Sequence, residues 1–270
     1  MGDDMGSRAN YRTVAIIGSA LLMSACTGSA GQEPSPPATV TVTATPSGAP
    51  SEAASPSPTP TPTIDTQQTL TRYFEAFVSK DPVKMREMRR YALKGSPADL
   101  YAIHQITSVN ALSAFDPDDV TIGEGQVTVT SIGALSGEKT TTVYEDFEFD
   151  EFGKLTTWTV QDSGPLDERI QKLSGSITSN DVKFELLTAY ETNAGFLAVT
   201  AKLTNKGNGP VDVSVTDYIN PKGRQIRVNG FFTPRPGAYL DAYMDLGNST
   251  VGGTLIVQFD FSTTREIVVE

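Results

Sequence analysis

Apolar positions recur at two different periods along this chain, and the change of period divides it. Leu70, Tyr73, Phe74, Phe77 and Val78 fall at i, i+3, i+4, i+7 and i+8, the spacing of one helix face. Asp81-Pro82 reads as an N-cap followed by proline at the first helical position, which predicts a second helix through Leu93 with Met85, Met88 and Ala92 inward and Gly95 as its stop. Ser96-Pro97-Ala98-Asp99 caps a third helix with Leu100, Ile103 and Ile106 as its apolar positions, and Asp116-Pro117-Asp118-Asp119 ends the helical part. Period two then takes over. Val120 and Ile122 alternate, as do Val127 and Val129. Thr140 to Phe149 predicts a longer strand, Asp150 to Lys154 a hairpin loop with Gly153, and Leu155 to Val160 the returning strand with the single tryptophan, Trp158.

Beyond Ser163-Gly164-Pro165, where glycine and proline interrupt both periods, Asp167 to Leu173 predicts a short joining helix and the rest reads as strand. Val182 to Tyr190, Phe196 to Leu203, Val211 to Val215, Leu240 to Leu246, Leu255 to Phe261 and Ile267 to Val269 alternate, with turn signals at Asn205 to Pro210, Asn220 to Gly223 and Gly252-Gly253. About seven short strands without a helical period predict a β-sandwich. The expected organisation is an α+β unit over 66–161 and an all-β unit over 174–270. Each holds its own apolar face and is large enough for a core of its own.

The first 65 residues follow neither period. Arg8 and Arg12 precede Val14 to Met23, an apolar run of ten residues, too short for a bilayer span of about 20 residues and suited to a signal peptide. Leu22-Met23-Ser24-Ala25-Cys26 resembles the lipobox of bacterial lipoproteins, with Met23 where that family prefers Leu, Val or Ile. The resemblance implies cleavage after residue 25, lipidation (palmitate) of Cys26, and a protein anchored to the cell membrane facing outside. Residues 31–65 contain nine Pro, five Ser and seven Thr, a composition with no apolar face to bury, which predicts that 26–65 is an extended tether with polyproline II character.

Two further resemblances concern fold. Helices followed by a sheet, with Tyr144-Glu145-Asp146-Phe147-Glu148-Phe149-Asp150 and Gly153-Lys154-Leu155 as a closing hairpin, resemble the NTF2-like cone. The run Gly195 to Gly207, reading GFLAVTAKLTNKG, is similar to the immunoglobulin-like domains of secreted antigens and lipoproteins of Gram-positive bacteria, actinobacteria especially. Such folds host many functions, so neither identifies a ligand.

Charge and chemistry narrow the function. A formal charge of −11 argues against nucleic acid and against an anionic membrane surface as partner. Removing residues 1–25 takes away Asp3 and Asp4 along with Arg8 and Arg12, so the remainder stays acidic. With Cys26 the sole cysteine and His104 the sole histidine, an intrachain disulfide and a multi-histidine metal site are both excluded, and no cofactor is expected. Ser136-Gly137-Glu138-Lys139 matches the Ser-x-x-Lys of penicillin-binding enzymes but lacks their partner motifs and falls between strands. Glu145, Asp146, Glu148, Asp150 and Glu151 invite a hard cation, but alternate strand residues point to opposite faces and no EF-hand spacing is present, so a solvated edge is expected. Lys84, Arg86, Arg89, Arg90 and Lys94 make the second helix basic; an exposed helix face is expected, with an anionic wall polymer as the alternative. Tyr73, Phe77, Tyr91, Tyr101, His104 and Trp158 are the candidate pocket lining, against the simpler reading that they are core. The resulting expectation is a non-enzymatic, surface-anchored binding or scaffolding lipoprotein whose partner is a cell-envelope protein or wall polymer. The alternative is an NTF2-like enzyme or carrier for a small apolar ligand.

Overall fold

A computed structural model describes residues 65–113, 115–132 and 137–270, so the leader, Cys26 and the Pro-rich segment lie outside the described residues, as does Ser136. Helix α1 (Thr66–Val78) starts where the Asp65 carboxylate accepts from the Gln68 N–H, and its apolar stripe is buried as the spacing predicts. The second helix is not continuous. It splits into α2 (Pro82–Met85), capped by Asp81, and α3 (Met88–Tyr91). Met85 and Met88 are both fully buried, and Ala92 then turns extended, so that Leu93 N–H donates to Leu155 O at 2.9 Å. A helix carried on to Leu93 would forfeit that attachment. Helix α4 (Pro97–Leu112) begins with the Ser96 hydroxyl accepting from the Asp99 N–H and ends at Ser113 in the left-handed region. Among the described residues no helix is long and apolar enough to cross a membrane.

Strands β1 (Asp119–Ile122), β2 (Gln126–Ile132), β3 (Lys139–Phe149), β4 (Leu155–Val160) and β5 (Gly164–Pro165) form an antiparallel sheet in that order. The β3–β4 hairpin closes where predicted, with Gly153 at φ 73° and the Asp150 N–H donating to Lys154 O. A short helix, α5 (Leu166–Arg169), leads into β6 (Ile170–Lys172), so the expected joining helix ends earlier and becomes a strand.

Two antiparallel sheets follow. β7 (Ser176–Ser179), β8 (Val182–Glu191), β9 (Leu197–Asn205) and β12 (Tyr239–Asp245) lie in one, with β6 on the far edge of β8. β10 (Val213–Ile219), β11 (Gln225–Phe232), β13 (Thr254–Phe259) and β14 (Thr263–Val268) form the other, in the order β11-β10-β13-β14. Both contribute to one apolar cluster, with Phe184, Val199 and Leu203 from the first and Val213, Tyr218, Val257 and Phe259 from the second. Alternation places these side chains inward, as period two requires.

A second cluster gathers around α1, α4 and the first sheet, and it includes Tyr190 from β8. Helix α4 packs on β4 and also on β6, β8, β9 and β12. Asn110 Nδ2 donates to Asp241 Oδ2 across the same boundary at 2.8 Å. A fragment of residues 174–270 keeps the apolar cluster between its two sheets but exposes Tyr190 and loses β6. We expect it to fold with a β-rich circular dichroism spectrum and to melt well below the full chain, since burying one large side chain contributes about 1.5–3 kcal/mol. A random-coil spectrum would contradict this.

Candidate functional site

Five of the six candidate pocket residues lie in one region: Tyr73, Phe77, Tyr101 and Trp158 meet as packed rings, and His104 reaches them through Tyr190. Tyr73 and Trp158 are 5.5 Å apart, Tyr101 and Trp158 5.3 Å, and Phe77 and Tyr101 5.7 Å, all tilted or edge-on. Phe74 and Tyr144 complete the set. The edges of one ring meet the faces of the next, the preferred geometry for aromatic quadrupoles. Tyr73 donates its hydroxyl to Ala98 O at 2.8 Å, and burial holds the phenol pKa values of Tyr73 and Tyr101 far above their usual range. The Trp158 indole N–H is buried without an acceptor among the described residues. Tyr91 stands apart. It is half-buried at the rim and lines a surface cavity of about 420 Å³ with Gln68, Arg72, Glu75, Lys84 and Glu87.

His104 is the fifth of these residues, and it sits on the face of α4 that meets β8. Its Nδ1 is 2.9 Å from Thr188 Oγ1, which is 2.6 Å from Thr200 Oγ1 on β9. Its ring lies 5.3 Å from Tyr190 and 6.4 Å from Tyr243. With 2 % of its surface exposed, desolvation lowers its pKa to about 3. It is therefore a neutral hydrogen-bonding group at any ordinary pH.

All five residues of the basic run are exposed, and Arg89 and Arg90 are paired within the fold. Arg89 makes a two-point contact with Asp99 (Nε–Oδ1 2.7 Å, Nη2–Oδ2 3.3 Å), Asp99 also accepts from Gly95 N–H, and Arg90 pairs with Glu87 at 3.0 Å. The break falls within the run, with Arg86 capping α2 and Arg89 and Arg90 in α3. Of the acidic set on β3 and its hairpin, Asp146 sits at φ 52° in a bulge opposite β4, and the Asp150 carboxylate accepts from Phe152 and Lys154 N–H. Among the described residues no group of three His, Cys, Asp or Glu is arranged to hold a metal ion.

Sequence patterning passed over a different site. At one end of the two facing sheets, the Asp260 N–H donates to Asp212 O, while the Asp260 carboxylate accepts from Asp212 N–H at 3.1 Å and from Asn180 Nδ2 at 2.8 Å. Thr233 Oγ1 donates to Asp212 Oδ1 at 2.8 Å. These bonds fix the β13–β14 turn, in which Asp260 and Phe261 have φ of 49° and 55°. Positive φ at two successive turn residues is normally supplied by Asn and Gly. Here it holds the Phe261 ring outside the core, 6.0 Å from Phe231 of β11 and within 18° of parallel.

No family model matches this chain, and neither a curated protein nor a solved structure does.

Burial of His104 sets a pH dependence. Its unfolded value is about 6.5 and its folded value about 3. Between those pH values the unfolded chain holds a proton that the folded chain does not, so stability is full above the unfolded value and falls as pH drops towards the folded one. His104→Gln retains a hydrogen-bonding side chain and removes the titration. Melting midpoints recorded from pH 7 to pH 3.5 should decline less steeply for His104→Gln than for the wild type. Parallel curves would show that His104 does not contribute.

Proposed function

We propose that the chain is an exported lipoprotein, held at the outer face of the cell membrane through Cys26, whose folded part is a non-enzymatic binding or scaffolding module of the cell envelope. In this reading residues 66–161 form an NTF2-like unit and residues 174–270 an immunoglobulin-like unit. The order of elements supports it: helices against an antiparallel sheet, then two antiparallel sheets around one core. The observation that carries the reading is the aromatic interior. Tyr73, Phe77, Tyr101 and Trp158 spend their ring faces and edges on one another, and His104 is engaged with Thr188. Side chains so committed hold the fold and leave recognition to the outer surface.

The alternative, an enzyme or carrier for a small apolar ligand, draws on one feature. A crevice of about 250 Å³ lies between α4 and the β6–β8 pair, lined by Leu100, Ile103, Leu173 and Leu186 beside Arg89 and Lys94. Native mass spectrometry of the purified chain separates the two readings, because a released apolar molecule would favour the carrier.

The anchor has its own test. Fatty-acid metabolic labelling should mark the wild-type protein, and Cys26→Ala should abolish the label and release the protein from the membrane fraction or block its processing. An unlabelled wild-type protein of full precursor length would overturn the anchor.

A further inference from the structure

The sequence holds two Asn-Gly steps, Asn208-Gly209 and Asn229-Gly230, and the fold treats them differently. In such a step the glycine nitrogen can close a five-membered ring on the asparagine side-chain carbonyl, and glycine has no side chain to obstruct the approach. Gly230 stands in β11 in register with Val215, and a methyl added there would meet Phe232 Cε2 at 3.0 Å and Val215 Cβ at 3.2 Å. Closing a ring at Asn229 would pull Gly230 out of that pairing. Asn208-Gly209 lies instead in the connection from β9 to β10, which crosses from one sheet to the other. Both of its residues are exposed. Neither the Asn208 amide nor the Gly209 N–H has a hydrogen-bond partner among the described residues.

The two sides of this step are nevertheless held. Asn205 is 1 % exposed. Its Nδ2 donates to Gly209 O at 2.8 Å and to Pro234 O at 2.9 Å, and its Oδ1 accepts from Gly207 N–H at 2.8 Å. Asn208 is therefore the single residue between two glycines that one buried side chain grips.

We propose that Asn208 is a self-modifying site, converting without an enzyme to aspartate and isoaspartate. The Gly209 nitrogen, giving up its proton to base, attacks Asn208 Cγ. The side-chain nitrogen leaves as ammonia and carries the proton away. The succinimide so formed takes up one water. Opening at the Cγ–N bond leaves aspartate on an unchanged backbone. Opening at the bond between the Asn208 main-chain carbonyl and that nitrogen leaves isoaspartate, whose backbone runs on to Gly209 through Cβ and Cγ. Either product adds one negative charge to a chain already at −11. Only isoaspartate lengthens the backbone, by one atom, between the two groups that Asn205 holds. The Asn205 side chain cannot stretch to match, so one of its bonds is lost, and a buried amide left without a partner is destabilising. The inference needs no ligand and is independent of the envelope reading.

The test is timed incubation of the purified full chain in mildly alkaline buffer, read by peptide mapping. Replacement of NH by O in mass marks conversion, and fragmentation distinguishes isoaspartate from aspartate. The folded chain should convert several-fold faster at Asn208 than at Asn229. In denaturant the two sites should convert at similar rates, because the difference comes from the fold. Gly209→Ala should slow conversion at Asn208 several-fold and keep the wild-type melting midpoint, since an added methyl meets nothing within 4 Å and the backbone there is outside the left-handed region. Ion exchange recovers the converted chains through their added charge. These should melt below Asn208→Asp, which carries the same charge on a normal backbone. Equal conversion at Asn208 and Asn229 in the folded chain would overturn the proposal. So would an Asn208 that persists in the folded chain yet converts in denaturant. Converted chains as stable as Asn208→Asp would overturn the effect on the Asn205 grip.

Discussion

Helix α4 is buried on two sides, and much of the arrangement follows from that constraint. Its Ala98, Tyr101 and Ala102 pack with the aromatic cluster over the first sheet, while His104 meets β8 and Asn110 reaches Asp241 on β12. A helix with apolar surface on one side only would let the sheets that follow hang free. One that must be covered on both sides draws them onto it. Tyr190 completes the attachment from the other direction, because it grows from β8 yet packs edge-on or tilted against Tyr101 and His104.

Most polar groups on this boundary are satisfied locally, as burial favours, although Arg169 Nη1 is buried without a partner among the described residues. The Arg169 guanidinium lies 5.2 Å from the centre of the Tyr190 ring and donates to Glu191 O at 2.6 and 3.1 Å and to Asn193 Oδ1 at 2.7 Å. At the start of α4, Asp99 collects Arg89, Gly95 N–H and the Ser96 cap. The helix start and the α3 end are thereby held together.

Much of the fold was legible where side chains are large. The α1 stripe, the β3–β4 hairpin and the alternation in β8, β9, β12 and β13 follow directly from Leu, Phe, Tyr and Val at the right spacing. In α4 the same rule picks the wrong face: Leu100, Ile103 and Ile106 are only half-buried, and the fully covered positions include Ala98, Ala102, Thr107 and Ser108. Small residues carry almost no hydrophobic signal, yet they allow the closest approach of a sheet. β11 was missed because Gln225, Arg227 and Asn229 point outward while Gly230 adds no apolar mark. The aromatic pair was invisible for another reason. Phe261 reads as the end of a strand, and only the backbone turn that reverses after Phe259 shows that its ring leaves the core.

The bridge from His104 through Thr188 to Thr200 contains no formal charge. Either hydroxyl can serve as donor, so the line of hydrogen bonds can run in both directions. Dissolved ions screen charges and have little purchase on a neutral bridge within a shell of aromatic rings. At this point the joint between the helical and all-strand parts is indifferent to ionic strength.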